Sequence, residues 1–448
     1  MIRFTALGIA ALVAVMPAAA HAQTTTTAEA VVEKNTVVVV KEAPKPSPVT
    51  FTPYGFFVMN ALFNDAFGNR NYPLPALCST GAACEGNFLI DVRQSRIGAR
   101  LAFNDTAGWT KAVLSALIEV DFNGGYAGAV PTGTVGFYNP VVRLRKAYMD
   151  ATWGTESRLV LRVGQDDILV SPLRATSLAY TANSLFQFAG VMNGRAPQLQ
   201  VRYEMAPKDG FAFSAVAGAL NPQDNTAGDT NVPVSPSQAV DLGAGNRSRM
   251  PAFQGRLSAG LRTGGKKLVD VGIWGGWQKN RFVSPATDTT MDIASYTYGA
   301  DLTLNLWLFQ VLGNIYKGNG FDAAGTLGAS QGIAVSVARA TPTSPYAITG
   351  LNAVPATSGW FQVLFGPSDL AQVYGGWGGT QSPFNAYTGS LLAVNATRVQ
   401  NYMWAAGLIG YAGKNWRFSA EYARATSWFY TGNSYSQGQF SLNSMIVF

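Results

Sequence analysis

Ala112-Val113-Leu114-Ser115-Ala116-Leu117-Ile118-Glu119-Val120-Asp121-Phe122 alternates in character from one residue to the next. Ala112, Leu114, Ala116, Ile118, Val120 and Phe122 share one face, while Lys111, Ser115, Glu119 and Asp121 share the other. A side-chain period of two is that of a β-strand. The same period returns in Leu199, Val201, Tyr203 and Met205 against Gln198, Gln200, Arg202 and Glu204. It returns again in Trp416, Phe418, Ala420 and Tyr422 against Arg417, Ser419 and Glu421. The polar faces hold too many charges to pack as a core. The apolar faces must therefore meet lipid, and the chain reads as an all-β transmembrane barrel with a polar interior.

Outward from that stretch, strands can be drawn at 53–63, 88–103, 110–122, 141–153, 157–166, 197–206, 211–220 and 253–263. They continue at 267–279, 293–304, 307–317, 358–366, 371–377, 402–412, 415–426 and 438–448. Short joins fall at 104–109, 155–156, 207–210, 264–266, near Leu306, at 367–370 and at 413–414. Long joins fall between them at 64–87, 123–140, 167–196, 221–252, 280–292, 318–357, 378–401 and 427–437. Strict alternation of this kind demands sixteen antiparallel strands with both chain ends on the short-turn side. Outer-membrane barrels have short periplasmic turns, long outer loops and an even strand number. Two places are irregular: Asn305-Leu306-Trp307 has no turn residue, and 371–377 is short.

Residues 1–22 read as a signal peptide. Arg3 precedes an apolar run from Ala6 to Val15, and Ala20-His21-Ala22 supplies small residues for cleavage. The run is too short to cross a bilayer as a helix. His21 is the chain's one histidine and leaves with the leader. Residues 23–50 end in Lys41-Glu42-Ala43-Pro44-Lys45-Pro46-Ser47-Pro48 and read as a Pro-rich periplasmic tether ahead of a barrel over 51–448. Charged residues make up 13% of the chain, about half the soluble norm, as expected if one face of every strand meets lipid.

A barrel of this size encloses more space than its own side chains fill. The join at 167–196 contains Leu169, Leu173, Leu178, Tyr180, Leu185, Phe186 and Phe188, too apolar to stand in water. It is expected to fold into the lumen as a constriction loop bearing Asp166, Asp167, Arg174 and Arg195. The competing reading is two further strands, which would break the alternation of joins.

Polar parity directs the remaining charges inward. It gives basic Arg96, Arg100, Arg143, Arg145, Arg158, Arg162 and Arg202 and acidic Glu119 and Asp121, with Lys111, Glu204, Arg256, Arg262, Asp270, Asp301, Arg417 and Glu421 beside them. Rows of guanidinium groups in an aqueous pore attract anions, and their forked donors fit carboxylate or phosphate. The alternative is that such rows neutralise rim acids or bind lipopolysaccharide phosphates at the outer edge. Lys146 breaks parity with Arg143 and Arg145, so the strand has a bulge there or Lys146 reaches an interface. Asp166-Asp167 could hold a cation or pair with a nearby Arg. Cys78 and Cys84, in the first long join, are most simply one disulfide.

The whole pattern resembles the trimeric porins of Gram-negative bacteria. Gln94-Ser95-Arg96-Ile97-Gly98, Arg143-Leu144-Arg145-Lys146-Ala147-Tyr148, Val163-Gly164-Gln165 and Arg195-Ala196-Pro197-Gln198-Leu199-Gln200-Val201-Arg202-Tyr203 look more narrowly like the DcaP-type porins. That resemblance implies a homotrimer and passage of small carboxylates.

With no histidine, the usual serine base is missing, so hydrolysis is not expected. A metal-uptake transporter would need a folded plug, which residues 23–50 cannot supply. The sequence therefore suggests an anion-preferring diffusion porin for small hydrophilic solutes, in contact with outer-membrane lipid and lipopolysaccharide. No catalytic residue, cofactor, metal or nucleic-acid partner is expected. The alternatives are a phosphate-selective or non-selective porin, or a structural or adhesive barrel.

Overall fold

The computed structural model describes residues 49–67, 72–75, 84–107, 111–124, 141–182, 184–222, 243–284, 287–320, 332–338, 347–366, 370–390 and 397–448. The expected signal peptide, nearly all of the tether, and Cys78 lie outside these residues. Cys84 is disulfide-bonded.

Among the described residues nineteen strands run in chain order. They begin with β1 (Val49–Ala66), β2 (Glu85–Asp91), β3 (Arg96–Ala107), β4 (Ala112–Gly124), β5 (Val141–Trp153) and β6 (Ser157–Asp167). Next come β7 (Arg195–Met205), β8 (Gly210–Leu220), β9 (Ala252–Thr263), β10 (Lys266–Val283), β11 (Thr290–Leu306) and β12 (Phe309–Asn319). The last are β13 (Ile333–Ala338), β14 (Ala347–Ala353), β15 (Pro355–Phe365), β16 (Ala371–Gln381), β17 (Arg398–Ala412), β18 (Trp416–Phe429) and β19 (Ser434–Val447). All except β13 and β14 form one antiparallel sheet that closes where β19 pairs with β1. The backbones of Gly55 and Phe448 exchange two hydrogen bonds of 3.0 Å, and the Phe448 ring packs 5.4 Å from that of Phe57. The barrel thus has no free edge, as a bilayer requires.

The barrel has sixteen strands because β2 and β3 are two halves of one, both paired with β1. Phe56 faces Arg96 and Asn60 faces Asp91, so four residues oppose three across the break. This is a β-bulge. Ser95 Oγ repairs it, accepting from Val58 N at 3.0 Å and donating to Val92 O at 2.7 Å. The expected continuous strand 88–103 is therefore interrupted, and Gln94 is freed to do other work.

Period two decided these walls correctly. Ile118, Met149, Leu199, Ile273 and Ile315 face outward and are 49–64% exposed, whereas Asn60, Asp121, Gln200, Gln362 and Glu421 face inward and are buried. Strand ends differ from the expectation on the long-loop side. β10 reaches Val283, β16 reaches Gln381, and β17 starts at Arg398. There the alternation continues in polar residues, with Asn280 and Gln278 inside and Lys279 and Arg281 outside, so hydrophobicity no longer marks the strand. The join near Leu306 is a two-residue turn whose Trp307 takes φ 41° and is 92% exposed. A left-handed Trp gives no sequence signal for a turn.

The expected long join 318–357 also contains a hairpin, β13–β14. Ile333 and Val335 pack with Phe282 and Ala244, while Ala334 packs with Tyr387 and Val399. Both faces of β13 are thus covered at the long-loop rim.

Candidate functional site

Between β6 and β7 the chain folds into the barrel, as its apolar residues require. Leu178, Ala179, Tyr180, Leu185, Phe186, Ala189 and Val191 form a core with inward-facing Trp360, Leu364, Tyr374, Met403, Ile409 and Met445. Ile168, Val170 and Met192 form a second core with Trp274 and Tyr316. The Phe186 ring stacks on Trp360 at 5.9 Å.

Polar wall residues then hold the loop's backbone. Gln94 Nε2 donates to Ala179 O at 2.7 Å, and its Oε1 accepts from Ala182 N at 3.0 Å. The Gln362 amide makes the same double contact with Thr176, at 2.7 and 2.8 Å. Gln254 Oε1 accepts from Leu169 N, and Arg96 Nη2 donates to Thr181 O. Tyr180 donates to Gln439 Oε1 at 2.6 Å; burial pushes this phenol well above its usual range, so it remains a donor.

The strongest anchor is Glu421 on β18. Its carboxylate accepts from Leu178 N at 2.9 Å, Ala179 N at 3.2 Å, Tyr374 OH at 2.5 Å, Ser419 Oγ at 2.5 Å, Asn443 Nδ2 at 3.3 Å and Ser177 Oγ. Six donors thus converge on this one buried carboxylate, two of them backbone N–H groups of the loop.

On the far side the loop tip needs bare wall. A Cβ on Gly378 would lie 2.0 Å from Ala189 O. Gly378→Leu should lift the tip from β16 and produce larger, noisier single-channel currents. Currents identical to those of the unmodified protein would show that the tip does not bear on this wall.

The charged wall is built on β3 to β7. Arg143 grips Asp121 through two bonds of 3.0 and 2.7 Å. Arg145 reaches Glu119 at 2.9 Å and Asp121 at 2.9 Å, while Arg96 lies 3.5 Å from Glu119. Tyr54 OH donates to Glu119 at 3.1 Å. Asp121, Glu119 and Arg145 are all under 7% exposed.

The break of parity at Lys146 is a bulge: Glu119 faces Lys146 and Val120 faces Leu144, leaving Arg145 unmatched. Gln165 Nε2 caps the released carbonyls of Leu144 and Arg145 at 3.0 and 3.2 Å. Two consecutive cations therefore serve one wall. Lys146 Nζ bonds Asp166 at 2.8 Å and Asp167 at 2.7 Å. Arg162 holds Asp150 at 2.7 and 2.6 Å and also contacts Asp166. Arg158 pairs with Glu204 at 2.8 Å, and Arg202 reaches the same carboxylate at 3.4 Å.

Two expectations need correction. Asp166, Asp167 and Arg195 are not in the loop; they end β6 and begin β7, with Asp167 opposite Arg195. The ladder continues there because the barrel wall is taller than the apolar belt. The arginine row is also less bare than its sequence suggests, since Arg96, Arg143, Arg145, Arg158, Arg162 and Arg202 all meet carboxylates on the same or adjacent strands. Among the described residues, Arg100, Arg174 and Arg417 show no carboxylate contact. Arg100 lies over the Tyr54 ring and Arg417 over Tyr411, while Arg174 Nη1 donates to the carbonyls of Ser171 and Leu173. Glu421 was legible as an inward acid, but not as an anchor. Lys146, Asp150, Gln254 and Gln362 were missing from the expected site.

Two cavities of about 560 and 540 Å³ lie between the loop and the short-turn rim. The first is lined by eight cationic side chains, including Arg158, Arg202 and Arg262, against four carboxylates. The second is lined by six, including Arg96, Arg100 and Arg417, against Glu119 and Asp167. Both are large enough for small hydrophilic solutes. Among the described residues no group of three or more His, Cys, Asp or Glu side chains could hold a metal.

No protein-family model and no curated protein matches the chain. Among solved structures it is similar to the outer membrane channel DcaP of Acinetobacter baumannii, with 14% identity, a TM-score of 0.64, and coverage of 90% of this chain and 98% of that one. It is also similar to an anion-selective porin from Comamonas acidovorans, with 12% identity, a TM-score of 0.51, and coverage of 89% and 100%. The chain thus has the fold of Gram-negative porins, and this closed barrel points to the bacterial outer membrane.

Proposed function

We propose that this protein is a passive diffusion channel for small hydrophilic solutes that favours anions, small carboxylates among them. The observation that carries the reading is the lining of the two cavities, where cations outnumber carboxylates twofold or more. Fixed positive charge in a narrow aqueous passage lowers the barrier to anions and raises it to cations. Ion pairing moderates the effect: Arg96, Arg143 and Arg145 share two carboxylates, so together they contribute one net positive charge. Arg100, Arg174 and Arg417 contribute most. The anion preference is therefore of moderate strength and fades as salt screens the wall. The DcaP-like resemblance favours carboxylates over phosphate, and the forked donors suit either.

Proteoliposomes should take up acetate faster than a neutral solute of similar size. Arg100→Gln with Arg417→Gln should lower that advantage about two- to threefold at low salt. An acetate rate equal to the neutral solute's, in both proteins, would exclude anion preference.

The same resemblance favours a homotrimer in outer-membrane lipid, with lipopolysaccharide at its outer rim. The outward small-residue face of β8, Ala215, Ala217 and Ala219, suits close approach by lipid or by a second copy. A native mass of one protomer alone in detergent would exclude the trimer.

A further inference from the structure

The two cavities share three charged side chains: Lys146, Asp167 and Arg174. A solute moving from one cavity to the other passes this junction. Lys146 Nζ lies 2.7 Å from Asp167 Oδ2, and the Asp167 side chain is 38% exposed. Asp166 differs: it is buried and committed to both Lys146 and Arg162. Arg195, opposite Asp167 in the β6–β7 ladder, and Arg174 both act electrostatically on Asp167. Arg174 is fixed in place by two carbonyls of its own loop. One exposed carboxylate thus sits among three cations, where, among the described residues, the linings of the two cavities meet.

We propose that this junction is a carboxylate-binding subsite and that Asp167 is its tethered occupant. A solute carboxylate displaces the Asp167 carboxylate from Lys146, is held by Lys146 and Arg174, and is expelled when Asp167 returns. The ligand class is the carboxylate end group of a small acid, because the chain's own carboxylate shows that the donors fit one. Occupation by Asp167 lowers apparent affinity, since only the fraction with Asp167 displaced can bind. Weak binding is what conduction needs, because a solute held tightly does not leave. This inference rests on the anion-channel reading above.

The test is the conductance of single channels in sodium acetate of increasing concentration, read as the half-saturating concentration. Asp167→Asn should lower that concentration about fivefold, because the subsite loses its resident anion. Lys146→Met should raise it. Glu204→Gln, which removes the same charge from the first cavity away from the junction, should leave it near the original value. Equal shifts for Asp167→Asn and Glu204→Gln would reduce the effect to a general field and overturn the subsite. No shift for Asp167→Asn in a channel that still prefers acetate would also overturn it, leaving the function intact. An unmodified channel that passes no acetate would overturn the function and the subsite together.

Discussion

Replacing Glu421 by Ala is expected to unseat the constriction loop and raise single-channel conductance several-fold, with frequent transitions between levels. The carboxylate is buried and takes donors from Ser177, Leu178, Ala179, Tyr374, Ser419 and Asn443. Removing it leaves two loop N–H groups and several side-chain donors without an acceptor in a water-poor site. Losses of that kind cost about 3–5 kcal/mol. The barrel itself should survive, because its ladder of strands does not depend on this residue. The aromatic packing of Phe186 on Trp360 and the amides of Gln94 and Gln362 keep the loop tethered, so it should fluctuate rather than leave. Glu421→Gln should be milder, since its amide oxygen still accepts from Leu178 and Ala179. A Glu421→Ala channel with the original conductance and no added noise would show that the loop is held by its apolar contacts alone.

Replacing Arg145 by Ala is expected to destabilise the barrel by about 3 kcal/mol, the usual cost of breaking a buried ion pair from one side. Arg145 bridges Glu119 and Asp121, all three nearly inaccessible to water. Without it Asp121 keeps Arg143, but Glu119 keeps only Arg96 at 3.5 Å and the Tyr54 hydroxyl. The temperature at which the folded form loses its characteristic gel mobility should fall clearly. The same change turns the wall near β4 from a net cation to neutral, so anion preference should weaken as well. An unchanged unfolding temperature would mean that these groups are solvated and the pairs contribute nothing.

The sequence made the walls legible and the lumen much less so. Alternation along β4 and β7 identified which face meets lipid, because the two environments differ sharply and the period is local. The break of parity at Lys146 left a bulge or an interface contact open, and the strand has the bulge. The bulge between β2 and β3 gave no such signal, since Gln94 and Ser95 are polar on either parity. Pairing of Arg143 with Asp121 and of Arg162 with Asp150 depends on which residues stand opposite across strands. That register is not a local property, so the sequence alone left open which arginines attract anions and which neutralise acids. Glu421 is the extreme case. Its loop donors lie 242–244 residues away in sequence, and nothing around Ser419-Ala420-Glu421 distinguishes it from any other inward acid. The hairpin β13–β14 escaped notice for a related reason: it is short and lies within an expected long join.

The central claim, an anion-preferring aqueous channel, is tested most directly by the zero-current potential of single channels in a planar bilayer under a potassium chloride gradient. The cavity linings predict a potential of the anion-selective sign, growing as total salt is lowered toward about 0.01 M, where fixed charges act unscreened over about 30 Å. A potential of the cation-selective sign at low salt would contradict the account, because Asp166, Asp167 and Glu119 would then dominate the passage rather than Arg100, Arg174 and Arg417.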